Sequence, residues 1–319
     1  MASAEMHYLI TARWLAVLVA AALSLASPAI AQDEAPAGES GNTNTTAGED
    51  ASQDTAGNAT ERYFIRSAGD SGRLAQRYPH LAVWLEPDGA PRALALVERE
   101  ATDTPEGAMV ILADEGQTAN HVLIEGLRRR LTEAGWAAMS MGNDQVSPAL
   151  QLARQRELVP GATRPGGSSP EGQPVMIDVN DQAAEELLEA HRDEMNARLE
   201  AAVAWFTERD YSPVVLVGVG RGAAAINDFL PGAQDAVSAV AWVAPEFGER
   251  TPDELVSELR GANVRLLDMY PSRSSAGPVR QAAFRRAGVK GYRALKVPFG
   301  GGESAGAIAS RLAGWADGD

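Results

Sequence analysis

The 319-residue sequence contains no cysteine and only four histidines, His7, His80, His121 and His191. The absence of cysteine excludes disulfide bonds, thiol nucleophiles and cysteine-ligated metal sites. The chain after His191 has no histidine, so no imidazole base can come from the C-terminal third of the protein.

Basic residues are also few. Lysine and arginine number 28 against 43 aspartates and glutamates, and the formal net charge is −15. Residues 32–60 hold six of the acidic residues and no basic one, which leaves a charge of −9 on residues 61–319. This excess of negative charge argues against nucleic acid and anionic membrane surfaces as partners.

The N-terminus has the pattern of a secretory signal peptide. Arg13 precedes a mostly apolar run over residues 14–25, and Ala29-Ile30-Ala31 then provides a cleavage site of small residues. The run is shorter than the roughly 20 apolar residues that a membrane-spanning helix needs. We therefore expect cleavage after Ala31, a periplasmic or secreted protein, and no stable membrane insertion after cleavage.

Residues 32–60 lack Val, Ile, Leu, Met, Phe, Trp and Tyr. Such a segment cannot bury enough apolar surface to offset its conformational entropy, so we predict a disordered acidic linker. Residues 61–319 then have the length of one large domain, which is able to build a core without disulfides.

The folded part alternates between strand and helix patterns. Turn residues 87–90 separate two segments, 81–86 and 92–98, that predict an antiparallel hairpin. Asn120 is the expected cap of a helix over 120–134, and residues 142–174 are predicted to leave the sheet because they are rich in Gly, Pro and Ser. Further strands and helices are predicted in the segments 108–112, 136–141, 181–208, 214–219, 237–243, 252–260, 264–270, 279–287, 292–297 and 305–315. The pattern favours an α/β fold with a mostly parallel, doubly wound sheet.

Residues 214–225 predict a buried strand, a glycine turn and the start of a helix. This is the context of the G-x-S-x-G nucleophile elbow of α/β-hydrolases. Gly218 and Gly222 match the two glycines, whereas Gly220 stands where the nucleophilic serine would be.

The chain resembles the α/β-hydrolase superfamily, and more narrowly an exported bacterial family described as domain of unknown function 3530. The resemblance covers residues 61–319. It is carried by the order and spacing of several motifs, namely residues 110–117, 131–136, 218–223, 266–270 and 311–315.

That resemblance assigns three catalytic positions, and none carries the expected residue. The nucleophile position is Gly220. The acid is expected in residues 271–275, where Ser274 stands and no carboxylate occurs, and the histidine is expected in residues 299–303, around Gly301. We therefore expect a degenerate catalytic triad.

The loop that would stabilise an oxyanion carries Asp114 and Glu115. Their charge would oppose a developing oxyanion unless both side chains turn away as solvated loop residues. Because ligands of open α/β sheets bind beyond the carboxyl ends of the strands, we expect these two residues, with Gln117, Arg221 and Arg273, as candidates to line the cleft.

Other polar residues admit a structural or a functional interpretation. His121 lies at the start of a predicted helix, near the mouth of the site. His191 and Glu194 are one helical turn apart and form a possible metal pair, although an acidic, solvated helix surface explains them as well. Gly218, Gly220 and Ala223 also satisfy the dinucleotide pattern G-x-G-x-x-A, with Arg221 beside the helix start.

Together these observations favour a non-catalytic binding or interaction protein built on a hydrolase fold, with a small molecule or a protein as partner. A hydrolase with a non-standard active site, an esterase or amidase, is the alternative, and nucleotide binding through residues 218–223 is a third. We expect no cofactor and no bound metal.

Overall fold

Eight strands form a single sheet in the structure of the protein, a computed structural model that describes residues 71–157, 179–233, 235–300 and 304–318. The strands are β1 (Ala82–Leu85), β2 (Ala93–Glu98), β3 (Gly107–Glu115), β4 (Trp136–Asn143), β5 (Val214–Val219), β6 (Ala239–Val243), β7 (Arg265–Pro271) and β8 (Tyr292–Val297). Their order in the sheet is β1-β2-β4-β3-β5-β6-β7-β8.

The pairing divides the sheet into a short antiparallel start and a long parallel part. β2 pairs antiparallel with both β1 and β4, and every pair from β4 through β8 is parallel. The predicted hairpin and the mostly parallel sheet are therefore confirmed. This order, with the strand–turn–helix at its centre, gives the chain an α/β-hydrolase fold.

Helices connect and cover the strands. They are α1 (Val122–Glu133), α2 (Pro148–Glu157), α3 (Val179–Thr207), α4 (Gly222–Ala233), α5 (Pro252–Leu259), α6 (Ala276–Arg286) and α7 (Ser304–Ala316), and residues 71–77 are also helical. Among the described residues, no helix is both long and apolar enough to cross a bilayer.

The core lies on both faces of the sheet. One apolar cluster packs around Phe206 of α3 and Trp242 of β6, and the other around Leu127 of α1 and Leu312 of α7. Strand residues alternate between the two clusters: in β5, Leu216 belongs to the first and the neighbouring Val215 and Val217 to the second. Strands buried on both faces explain why their sequences are almost continuously apolar.

Two local predictions need correction. α1 begins after His121 rather than after Asn120, whose side chain instead donates to the Tyr78 hydroxyl and to Glu125. β3 runs through Glu115, so the two predicted loop carboxylates belong to the end of the strand. Part of the predicted excursion, residues 148–157, is helical; residues 158–178 lie outside the described part, as do the predicted signal peptide and linker.

Candidate functional site: the strand–turn–helix and the cleft above it

The centre of the site is the turn between β5 and α4. Gly220 has a φ of +55°, which lies in the left-handed region. Glycine adopts this conformation freely, whereas residues with a β-carbon rarely do. Gly218 and Gly222 are required for a different reason, since a β-carbon at either would lie within 2.6 Å of backbone atoms of Ala223 or Ala113, respectively. The three glycines therefore let α4 pass close to β3 and β5, as the motif predicts.

The carboxylate of Asp114 lies directly against this turn. Its Oδ1 accepts hydrogen bonds from two backbone amides, those of Glu115 and Arg221, each at 2.8 Å. A β-carbon built at Gly220 would lie no farther than 2.5 Å from Cγ, Oδ1 and Oδ2 of Asp114. The side chain of Asp114 thus fills the space into which a nucleophile at position 220 would project.

The backbone amides of Glu115 and Arg221 correspond to the donors that form the oxyanion hole of an active hydrolase. One belongs to Arg221, the residue after the nucleophile position, and the other to Glu115, the last residue of β3; an amide after the nucleophile and an amide just beyond this strand are the two sources of an oxyanion hole in this fold. Both point at a carboxylate oxygen of the protein itself. A substrate oxyanion would have to displace Asp114 before it could use them.

A cleft of about 470 Å³ opens beside the turn. Of the predicted cleft residues, Asp114 and Gln117 line it, whereas Glu115, Arg221 and Arg273 do not. The polar residues that line it but were not assigned to it from the sequence are Glu246 and Arg280; His121 and Ser274, noted from the sequence, line it too.

The three predicted residues that do not line the cleft make other contacts or are exposed to solvent. The carboxylate of Glu115 forms an ion pair with Arg154 of α2 at 2.5 Å. Arg221 offers its backbone amide to Asp114, while its side chain is exposed and lies 3.9 Å from Glu246. Arg273 is exposed.

His191 and Glu194 lie in a cluster of charges on α3. Glu194 pairs with Arg198 at 2.5 Å, and Arg198 also contacts Asp144 at 3.2 Å. Burial, together with nearby Arg154 and Arg198, lowers the pKa of His191 below its ordinary value, while burial raises the pKa of Glu194. Glu194 is thus engaged by an arginine, and the described residues hold no group of three or more His, Cys, Asp or Glu suited to a metal.

The segment after β7, where an acid was expected, supplies serine hydroxyl groups and Arg273 but no carboxylate. Ser274 accepts a hydrogen bond from the Gly277 amide and so supports the start of α6, and Ser272 donates to the carbonyl of Val297. The position of Gly301 lies outside the described residues. Ser304 beside it is bonded to the backbone of Gly300, again a structural role.

A buried ionic group lies beneath this segment. Asp268 is fully buried on β7, and its carboxylate accepts two hydrogen bonds from Arg280 and one from the Tyr292 hydroxyl, all at 2.9 Å. Burial and the neighbouring Asp268 charge raise the pKa of Tyr292 far above its ordinary value, so this hydroxyl stays a donor. The sequence signal was an aspartate inside the apolar strand 266–270, which the motif-based interpretation did not use.

The proteins that this chain resembles are esterases and related hydrolases. One similar solved structure is the esterase domain of a Rhodothermus marinus protein, with 15% sequence identity and a TM-score of 0.48; the match covers 74% of this chain and 97% of that chain. Another is Est1E from Butyrivibrio proteoclasticus, with 11% identity and a TM-score of 0.48; the match covers 73% of this chain and 96% of that chain. A third is a dienelactone hydrolase from Anabaena variabilis, with 14% identity and a TM-score of 0.45; the match covers 73% of this chain and 94% of that chain. No curated protein matches the sequence significantly.

One family model covers nearly the whole chain. It is described as Protein of unknown function (DUF3530), and it matches residues 14–317. The expected family is thereby confirmed: this chain belongs to the DUF3530 family of proteins of unknown function.

Proposed function

We propose that this protein is an exported, non-catalytic binding protein in which the cleft of a hydrolase fold holds a ligand without cleaving it. The observation that carries the proposal is the position of Asp114. Its carboxylate fills the nucleophile's space at Gly220 and accepts hydrogen bonds from the Glu115 and Arg221 amides.

Acyl transfer in this fold needs a nucleophile, a base that activates it and free donors for the oxyanion. Gly220 has no side chain, and both donors are bonded to Asp114. His121 lines the cleft, but the serine that lines it within the described residues, Ser274, accepts a hydrogen bond from the Gly277 amide. Each feature opposes serine-based catalysis for a separate physical reason.

The retained cleft supports a binding role. Its volume of about 470 Å³ falls within the range of about 300–1,000 Å³ typical of small-molecule sites. It also lies at the carboxyl ends of the parallel strands, where α/β sheets bind ligands. Export, proposed from the residues around Ala31, places that ligand outside the cytoplasm.

A hydrolase with a non-standard site remains the second candidate, because Oδ2 of Asp114 makes no hydrogen bond within the described residues. This oxygen could take a proton from water as the water attacks an ester carbonyl, and return the proton to the departing alkoxide. The geometry disfavours that route, since the amides that would stabilise the oxyanion are already bonded to the base. Nucleotide binding is disfavoured similarly, because a phosphate at the start of α4 would meet the Asp114 carboxylate.

An activity test separates the first two candidates. The mature protein is assayed with p-nitrophenyl acetate and butyrate and with a fluorophosphonate probe, beside the Asp114→Asn variant. Asparagine keeps the shape and the acceptor oxygen of Asp114 but removes the basic carboxylate. We expect hydrolysis at the buffer rate for both proteins and no labelled serine. Turnover by the natural protein that disappears in Asp114→Asn would establish the hydrolase instead.

A further inference from the structure

The polar groups of the cleft indicate which chemical class of ligand it accepts. This inference rests on the proposed function, namely that the cleft binds a ligand without cleaving it. It starts from the charges of the residues that line the cleft: Asp114, Glu246 and Arg280 are the charged ones.

Arg280 contributes little free positive charge. Its guanidinium is buried and forms a two-point ion pair with Asp268, which has no exposed surface. A pair of this kind is electrically neutral as a unit, and it leaves no net attraction for an anion.

The charge of Asp114, unlike that of Arg280, is not neutralised by an ion pair within the described residues. No arginine, lysine or histidine side chain of the described residues forms an ion pair with it, and among those residues its carboxylate accepts hydrogen bonds only from the two backbone amides. Glu246 adds a second carboxylate, held at 3.9 Å from the exposed Arg221. The cleft therefore carries net negative charge whose strongest uncompensated source is Asp114.

Two residues that line the cleft each have a side-chain polar atom that makes no hydrogen bond within the described part of the chain. Oε1 of Gln117 and Nδ1 of His121 are shielded from solvent and have no hydrogen-bond partner within the described residues. A shielded polar atom without a partner costs free energy, so a ligand that donates hydrogen bonds to this wall would relieve the cost. The amide oxygen of Gln117 is an acceptor and therefore favours a ligand that donates, whereas Nδ1 of His121 accepts or donates according to the tautomer of the imidazole.

The mouth of the cleft is apolar. Val122 is 59% exposed and Phe299 is 40% exposed, and both line the cleft. Covering such side chains with the apolar part of a ligand is favourable, and the face of Phe299 is a suitable contact for a cation. A ligand that satisfies both regions has a cationic, N–H-donating end and an apolar body.

We infer that the cleft binds a small organic cation, a primary ammonium or guanidinium group attached to an apolar body, with the cationic group on Asp114. An N–H-bearing cation pairs with the carboxylate of Asp114 and offers a donor to the amide oxygen of Gln117. An anion of the same size is repelled by Asp114 and finds Arg280 already paired.

The test uses three probes of matched shape with the mature protein: 2-phenylethylammonium, the neutral 2-phenylethanol and the anionic 3-phenylpropionate. Isothermal titration calorimetry measures their affinities. We expect one ammonium ion bound per chain, the alcohol at least about tenfold weaker, as loss of one charge-assisted hydrogen bond implies, and the carboxylate weaker still.

Two variants assign the effect to Asp114. Asp114→Asn should weaken ammonium binding at least about tenfold and weaken binding of the neutral alcohol much less. Asp103→Asn makes the same chemical change on an exposed residue just before the opposite end of β3, and it should leave all three affinities unchanged. Melting temperatures of both variants show whether each one is folded.

Three results would overturn the inference: carboxylate binding at least as tight as ammonium binding, no binding of any probe, or ammonium binding that Asp114→Asn leaves intact. None of these depends on turnover. Ester hydrolysis in the activity test would instead overturn the proposed function, so the two failures are distinguishable.

Discussion

The contact between Gly220 and Asp114 predicts that a side chain at position 220 is destabilising and that removing Asp114 relieves most of the effect. The substitution that tests this is Gly220→Ala, which adds one carbon and no chemistry. Two costs follow from the structure. At φ = +55° a non-glycine residue is strained by about 1 kcal/mol, and the new β-carbon occupies the place of the Asp114 carboxyl group.

The second cost is the displacement of Asp114. If its carboxylate swings away, it loses the hydrogen bonds from the Glu115 and Arg221 amides. Because this part of the site is open to water, which partly replaces them, we assign about 1–2 kcal/mol to the loss. Gly220→Ala should therefore lower the free energy of unfolding by about 2–3 kcal/mol.

In the Asp114→Ala background the carboxyl group is absent, and the same substitution should cost only the strain of about 1 kcal/mol. The expected coupling energy between the two sites is thus about 1–2 kcal/mol. Urea or guanidinium unfolding of the four proteins measures it, provided that the slope m is constant across the set.

Gly248→Ala is the matched control. Gly248 has a φ of +66°, and a β-carbon there would have no neighbour within 4 Å, so its cost reports the backbone strain alone. Additive effects of Gly220→Ala and Asp114→Ala, within roughly 0.5 kcal/mol, would refute the reasoning. They would show that the carboxylate does not occupy the nucleophile's space in solution.

Three further properties are predicted. Protein recovered from the periplasm should begin at Gln32 by intact-mass analysis, and deletion of 32–60 should leave the melting temperature unchanged; a retained N-terminus or a clear loss of stability would contradict these two expectations. Arg280→Met should lower the free energy of unfolding by about 3–5 kcal/mol, because it leaves Asp268 charged and buried with the Tyr292 hydroxyl as its remaining side-chain donor. A loss below about 1 kcal/mol would mean that water reaches Asp268. The free energy of unfolding should decrease as the pH is lowered below about 6.5. The pKa of His191 is lower in the folded protein than in the unfolded chain, so the unfolded chain binds the proton at a higher pH and is favoured by acid. The fall measured by chemical unfolding should be smaller in His191→Gln, and equal slopes in the two proteins would exclude His191 as a cause.

Local patterns were sufficient to predict the elements. The hairpin of β1 and β2, the parallel strands and the turn from β5 into α4 all follow from apolar periodicity and glycine positions, which act over a few neighbouring residues. The empty nucleophile position could also be recognised from the sequence, since it depends only on Gly220 itself. The cap of α1 was missed because the Asn120 side chain is engaged by Tyr78, a residue distant in the chain.

The site itself was decided by tertiary structure. From the sequence, Asp114 is expected in a loop after the strand 108–112, and whether it faces solvent or the turn stays open, because that depends on the register of β3 against β5 and on the irregularity after Leu112. Likewise, β7 alone reveals a polar residue in an apolar strand, and only the docking of α6 and β8 supplies Arg280 and Tyr292 to Asp268. Backbone periodicity is fixed by neighbours along the chain, whereas the partner of a side chain is fixed by elements that meet only when the sheet is assembled.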